Sequence, residues 1–386
     1  MSDEQIVNPR SSLIAHRSSL VPRRVAVVHD WLTGMRGGEA VLEAILDALP
    51  QADLFTLFHF KGAVSEKIES RNIITSSLQA LAARTGDYRR LLPLYPRAVR
   101  QWDFSGYDLI VSSSHCVVKG IDAKGKPHLC YCHTPMRYIW DRFDDYFPRS
   151  RPLQRAAMMS LAPWLRRWDV RTASEVTRFV ANSTFVRDRI RRFYGREAEV
   201  IHPFVDDAFL NAPLETSRDD YHVILSALVP YKRVDLAVAA AVASGRRLVV
   251  LGGGPLLDEL RRRSGPNVEL PGAVSKEQIV ERLARARSLI LPGVEDFGIT
   301  PLEAMALGTP VVALGEGGVR DSVVEGQTGI FFEKAEVESL RQALDEVEGR
   351  DWDRNALRAH AMRFSRARFD GELSSQLAAL SSQDSR

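Results

Sequence analysis

This chain has little cysteine, no long apolar run and almost no net charge, and each shortage removes a class of protein. Its three cysteines are few and odd in number, which argues against a disulfide framework and for a reducing compartment. No apolar run approaches the ~18 residues of a membrane span, and Leu236 to Ala243, among the longest, reads as a small-residue core helix. The opening Met1-Ser2-Asp3-Glu4 lacks the basic-then-apolar order of a secretory signal, so a cytoplasmic protein is expected. No recognised nucleic-acid motif accompanies the arginines, so nucleic acid is not an expected partner.

What is present is an ordinary globular composition over 386 residues, too long for one core and suited to about two domains. Charge is unevenly spread: residues 1–205 carry 30 Lys and Arg against 21 Asp and Glu, whereas residues 206–386 carry 22 against 28. Much of the positive excess lies between Arg149 and Arg196. Solvated helix faces are the plainer reading of those arginines; an anionic lipid surface, with the protein peripheral on the inner face of the cell membrane, is the other. His128, Cys130, Cys132 and His133 invite a zinc site, but in a strand the first three point to one face and His133 to the other, so a buried strand is expected and no metal.

The stretch from Val294 to Pro310 organises the rest. The apolar run 288–292 before it reads as a buried strand. Thr300 as N-cap, Pro301 in the first turn and Glu303 three residues after the cap then predict a helix start with a capping box. Such a strand-loop-helix passage leaves backbone N–H groups free around Gly298, Ile299 and Thr300, aimed where an anion can sit. Glu295 and Glu303 flank them with seven residues between. Two carboxylates beside a phosphate repel it unless they face hydroxyls, and a nucleotide sugar supplies both kinds of group. Read singly, Glu303 is a helix cap and Glu295 a solvated loop acid; their spacing around Phe297-Gly298-Ile299 favours the ligand.

These residues resemble the signature of the retaining family-4 glycosyltransferases, enzymes of the two-lobed α/β GT-B fold. The resemblance implies two Rossmann-like lobes with parallel sheets facing across a cleft, and a C-terminal helix returning to the first lobe. It places Glu295 near the transferred hexose and Glu303 near the nucleotide ribose. The run Tyr131-Cys132-His133-Thr134-Pro135-Met136-Arg137-Tyr138-Ile139-Trp140-Asp141 looks like the mannosyltransferase branch of O-antigen and exopolysaccharide assembly. His133 matches a family histidine beside the transferred sugar. Arg137 and Asp141 either bind acceptor or pair structurally. Gly37 and Gly38, in the loop after the first strand, match positions facing the donor diphosphate.

Along the chain, residues 1–20 are expected to be disordered, 21–205 to form an acceptor-side lobe, 206–350 a donor-nucleotide lobe, and 351–386 the returning helix with a polar tail. Strands are expected at 24–30, 53–58, 108–114, 128–133, 178–183 and 199–204, and again from His222, at 247–251, 310–314 and 329–332. Lys232 and Arg233, after the first strand of the second lobe, are positioned to neutralise a leaving diphosphate. The family's usual arginine close to that strand is replaced by Ala227. Gly252-Gly253-Gly254 resembles half of a dinucleotide fingerprint, with Glu269 following it, which sustains an alternative: a nicotinamide-dependent oxidoreductase. By resemblance Gly252 joins the donor site and Val274 lies in the turn bordering the base. Asp351-Trp352-Asp353 has acid-x-acid spacing but precedes a helix, so capping is expected of it.

The resulting expectation is transfer of a hexose, mannose from GDP-mannose or a sugar from a UDP-hexose, to a lipid-linked or oligosaccharide acceptor in surface-polysaccharide synthesis. Lys232, Glu295 and His133 would act at the reacting centre, with no cofactor beyond the sugar nucleotide and no metal required.

Overall fold

The computed structural model describes residues 24–215 and 217–381; the expected disorder at 1–20 and the last polar residues lie outside that range. Seven strands, β1 (Val25–His29), β2 (Asp53–Thr56), β3 (Ile73–Thr75), β4 (Leu109–Ser114), β5 (His128–Cys132), β6 (Arg178–Ala181) and β7 (Ala198–Val200), form one sheet in the order β3-β2-β1-β4-β5-β6-β7. Six more, β8 (His222–Leu225), β9 (Leu248–Leu251), β10 (Val268–Gly272), β11 (Leu289–Leu291), β12 (Val311–Leu314) and β13 (Gly329–Phe332), form a second in the order β10-β9-β8-β11-β12-β13. Both orders reverse direction once, the topology of doubly wound parallel sheets, whose ligands sit at the carboxyl ends of the strands.

The central strands are continuous buried apolar runs, as strands covered on both faces must be. Three edge strands break that rule. β3, β7 and β10 are only partly buried, and β10 alternates half-buried and exposed positions. Sequence reasoning misses β3 and reads the end of β10 as a turn, because an edge strand covered on one side lacks the apolar run.

By contacts the chain gathers into two compact units. One contains the described part of Met1–Cys132, Trp168–Phe179 and the described part of Asp370–Arg386; the other contains His133–Arg167 and Val180–Phe369. The expected boundary at 205 therefore does not separate these units, since the segments after β5 and β6 pack with the residues that follow 205. Within the second unit two apolar clusters cover opposite faces of the sheet, one around Leu302, Met305 and Phe297, the other around Ala240, Val250 and Leu340.

Five helices matter for the site and its surroundings. α1 (Gly37–Ala48) begins on the glycine pair itself. α2 (Pro152–Ala173) is the longest of the five; α3 (Thr184–Tyr194) starts from Ser183, whose hydroxyl accepts the Val186 N–H. α4 (Lys276–Arg285) carries a complete capping box, Ser275 with Gln278. α5 (Thr300–Ala306) does not: its N-cap is Ile299, already in helical conformation, with no side-chain cap. The expected Thr300–Glu303 capping box is therefore corrected. Thr300 is the first helical residue, so Glu303 falls one position too far along to reach back to the cap. Asp353 does cap its helix, accepting the N–H groups of Asn355 at 2.8 Å and Ala356 at 3.1 Å.

Candidate active site

The loop 292–299, between β11 and α5, is held by its neighbours on several sides within the second unit. Glu295 carbonyl accepts the Gly318 N–H at 2.8 Å. A Cβ at Gly318 would lie 2.0 Å from the Asp296 carbonyl oxygen, so only glycine permits that approach. On another side, a Cβ at Gly293 would meet the Tyr231 carbonyl at 2.6 Å. That contact brings the turn 230–232 against the loop and Lys232 onto Glu295, where the ammonium and carboxylate form an ion pair.

Asp296, next in the chain, is the hub of a network that the sequence did not disclose. Its carboxylate takes Arg137, Arg189 at 2.9 Å and the Thr134 hydroxyl at 3.0 Å; its carbonyl accepts the Ser183 hydroxyl. Arg189 also holds Asp141 at 2.7 Å. Burial alone would raise the Asp296 pKa; the two guanidinium groups outweigh it and hold the carboxyl below the usual range. Burial likewise opposes the charge on Arg137, and Asp296 beside it keeps that guanidinium protonated. Arg137 also lies over the Tyr231 ring, 5.5 Å from its centroid, and Tyr231 stacks on Tyr146. Of the two roles open for Arg137 and Asp141, the geometry displays structural pairing.

Charge around the loop is thus balanced: Lys232, Arg137 and Arg189 against Glu295, Asp296 and Asp141. An anion gains nothing from net charge here. It would find instead the N–H groups of Gly298, Ile299 and Thr300, which have no hydrogen-bond partner among the described residues. Gly298 adopts φ +83°, the left-handed region that turns the chain into α5.

Glu303 stands in the first turns of α5, half-buried, with no side-chain partner among the described residues. Burial, then the nearby Asp206 carboxylate, push its pKa up to about 7. A carboxyl that is neither cap nor ion-pair partner is available to a hydroxyl-bearing ligand.

Other expected residues are less available. Phe297 is 2 % exposed and stacks on His202, so its side chain belongs to the core and not to a ligand surface. The Gly252 N–H is donated to Gly272 at 2.9 Å, and a Cβ there would lie 2.0 Å from the Ser226 carbonyl. That glycine serves loop packing, and the dinucleotide reading loses its first phosphate donor with it. Arg233 has φ +52° and pairs with the half-buried Asp235 at 3.4 Å, apart from the Lys232–Glu295 pair. Val274 and Ile299 are half-buried against the core. His133 follows β5 with its carbonyl bound by Asn182 Nδ2 at 3.0 Å. Gly37 and Gly38 open α1 in the other unit. His128, Cys130 and Cys132 are buried in β5, His128 bonded to Ser112 at 2.7 Å, and no metal-holding group of three or more His, Cys, Asp or Glu occurs among the described residues.

Two family models match end to end: Glycosyltransferase Family 4 over residues 35–209 and Glycosyl transferases group 1 over residues 207–363. The GDP-mannose-dependent alpha-(1-6)-phosphatidylinositol monomannoside mannosyltransferase of Mycolicibacterium smegmatis is 32% identical over 205 residues, covering 45% of this chain and 53% of that protein. The alpha-D-kanosaminyltransferase of Streptomyces kanamyceticus is 28% identical over 220 residues, covering 50% and 56%. The chain spans about half the length of the curated relatives it matches. Among solved structures, Anabaena HepE in complex with UDP and glucose superposes with TM-score 0.66 at 17% identity, covering 91% of this chain and 98% of that one. The apo lipopolysaccharide outer core galactosyltransferase WaaB gives 0.64 at 13%, covering 93% and 99%. Two doubly wound parallel sheets, one matched family model after the other and GT-B neighbours along nearly the whole length place the chain among the family-4 glycosyltransferases of GT-B fold.

Proposed function

We propose that the protein transfers a hexose from a nucleotide sugar, mannose from GDP-mannose, to a hydroxyl of a lipid-linked or oligosaccharide acceptor with retention of configuration. The observation that carries this reading is the Lys232–Glu295 pair beside three amides that have no partner among the described residues, with Glu303, likewise without one among them, in the following helix. In the free protein Lys232 and Glu295 satisfy each other. A bound donor exchanges that pair for two better-matched contacts: Lys232 and the amides take the diphosphate, and Glu295 takes hexose hydroxyls. Glu303 accepts from the ribose.

In the reaction the bond from the sugar's anomeric carbon to the phosphate oxygen breaks, and the acceptor oxygen bonds to the same carbon on the same face. The acceptor proton passes to the departing diphosphate. Charge developing on that diphosphate meets Lys232 and the loop amides, which are stronger partners there than for the neutral ground-state ester oxygen. His133 lines the sugar side, and no metal is needed.

The mannosyl donor is favoured by the mycobacterial relative, whose own donor is GDP-mannose. A UDP-hexose is the second reading, favoured by the complexes of HepE with UDP and glucose. The oxidoreductase alternative has no support, since Gly252 and Gly254 are packed against the backbone of Ser226 and Leu228. The test is a panel of GDP- and UDP-sugars with acceptor mixtures and mass-spectrometric product detection. Mannose transfer from GDP-mannose, lost in Glu295→Ala, is expected. Transfer from UDP-sugars alone would replace the donor, and undiminished transfer by Glu295→Ala would overturn the site.

A further inference from the structure

α2 is apolar on its solvent side as well as on its core side. Its core side is ordinary: Met158, Ala162 and Leu165 are buried. Its solvent side is apolar as well. Leu153 is 88% exposed, Met159 58% and Trp164 47%. At about 100° per residue Leu153 and Trp164 fall on one line about 16 Å apart, with Met159 to one side. Ala156, Ala157 and Pro163 between them are also exposed, so the strip is continuous apart from Ser160. A solvent-facing strip of this kind marks an interaction surface.

Its flanks say what covers it. Arg149 and Arg151 precede the helix and Arg167 lies on the strip's edge, all three exposed. No acid stands on the helix from Pro152 to Arg167; the nearest before it, Asp145 and Asp144, are paired with Arg142 at 3.5 Å and Arg155 at 2.6 Å. The rest of the basic stretch is partly spent: Arg166 binds the Ile139 carbonyl, Arg189 serves Asp296, and Arg191 pairs with Glu197. Two copies meeting on this face would bring like charges together with no carboxylate to answer them. Phosphate headgroups over an apolar interior answer both features at once.

We propose that the solvent face of α2 docks on an anionic lipid bilayer, Leu153, Met159 and Trp164 entering the headgroup boundary while Arg149, Arg151 and Arg167 take lipid phosphates. The inference does not depend on sugar transfer, and its test reads lipid alone.

The full chain is floated with vesicles of phosphatidylcholine, or of phosphatidylcholine with one third phosphatidylglycerol. It should rise with the anionic vesicles and stay down with the neutral ones. Leu153→Glu with Trp164→Glu should lower the bound fraction about tenfold, and reversal of the three arginines to glutamate should weaken partitioning about a hundredfold or more. All these positions are exposed, so the melting temperature should hold, and circular dichroism checks folding. Wild-type protein that stays down, or variants that float equally well, would overturn the proposal. So would a dimer by light scattering that Trp164→Glu converts to monomer.

Discussion

Glu295 and Glu303 look equivalent in the sequence, two glutamates bracketing a glycine, and the fold makes them different. Glu295 is an ion-pair partner and Glu303 is a carboxyl with no side-chain partner among the described residues, its pKa raised to about 7. Glu295→Ala should lower kcat about 100-fold while GDP binding is kept or tightened, because Lys232 is then released for the diphosphate; steady-state kinetics beside GDP titration separates the two effects. For Glu303 the sign is worked from linkage. An acid whose folded pKa exceeds its unfolded value near 4.5 holds its proton longer in the folded state, so stability falls as pH rises from about 4.5 to 7. Glu303→Gln should therefore stabilise the unliganded protein by about 1–3 kcal/mol at pH 8 and have little effect at pH 4.5. Melting temperatures of both proteins across that interval test it, and turnover of the variant should drop.

At the scale of elements, Asp296 ties the 292–299 loop to four side chains, Arg137, Arg189, Thr134 and Ser183, and Gly318 packs against it. Asp296→Ala removes the carboxylate from Arg137 and one of the two from Arg189, and should cost about 3–5 kcal/mol, read by urea denaturation. Asp296→Asn retains hydrogen bonds but not charge and should cost less. Gly318→Ala forces a Cβ against the Asp296 carbonyl and displaces the loop, so it should lower kcat with a smaller loss of stability than Asp296→Ala. None of this was legible beforehand. Thr134, Arg189 and Ser183 lie more than a hundred residues from Asp296, and an acid beside a phenylalanine in a loop carries no sign of which arginines it meets. The helix start was legible in kind but not in register. Thr300, Pro301 and Glu303 suit a capping box, yet the turn at Gly298 brings Ile299 into helical conformation first.

At the scale of the molecule, the residues gathered around the 292–299 loop belong to one compact unit, including Thr134, Arg137 and Asp141 from before position 205. If that loop grips the donor, GDP should raise the melting temperature of the whole chain and NAD should not; saturation at about a hundred times Kd corresponds to about 2.7 kcal/mol. Acid stability follows the depressed carboxylates. Asp296 is held down by its guanidinium partners, and Glu348 is held to about 2 by His222 and Arg246. Groups of this kind contribute stability that is complete above pH 4–5 and lost as the pH falls through their folded values. Opposed to Glu303, they should give the unliganded wild type its best stability near pH 5, and Glu303→Gln should extend that plateau upward.

The two lobes, the central strands and the paired glutamates were readable from order along the chain, because a strand buried on both faces must be a short apolar run and a helix start must follow certain residue types. Three matters waited for the tertiary structure: the edge strands β3 and β10, the balancing of charge around the loop, and the exposed apolar face of α2. Each depends on what lies beside a residue in space and not in sequence. A half-covered strand has no full apolar run, a cation counts only after its partner is known, and an exposed leucine looks like a core leucine until the helix is turned.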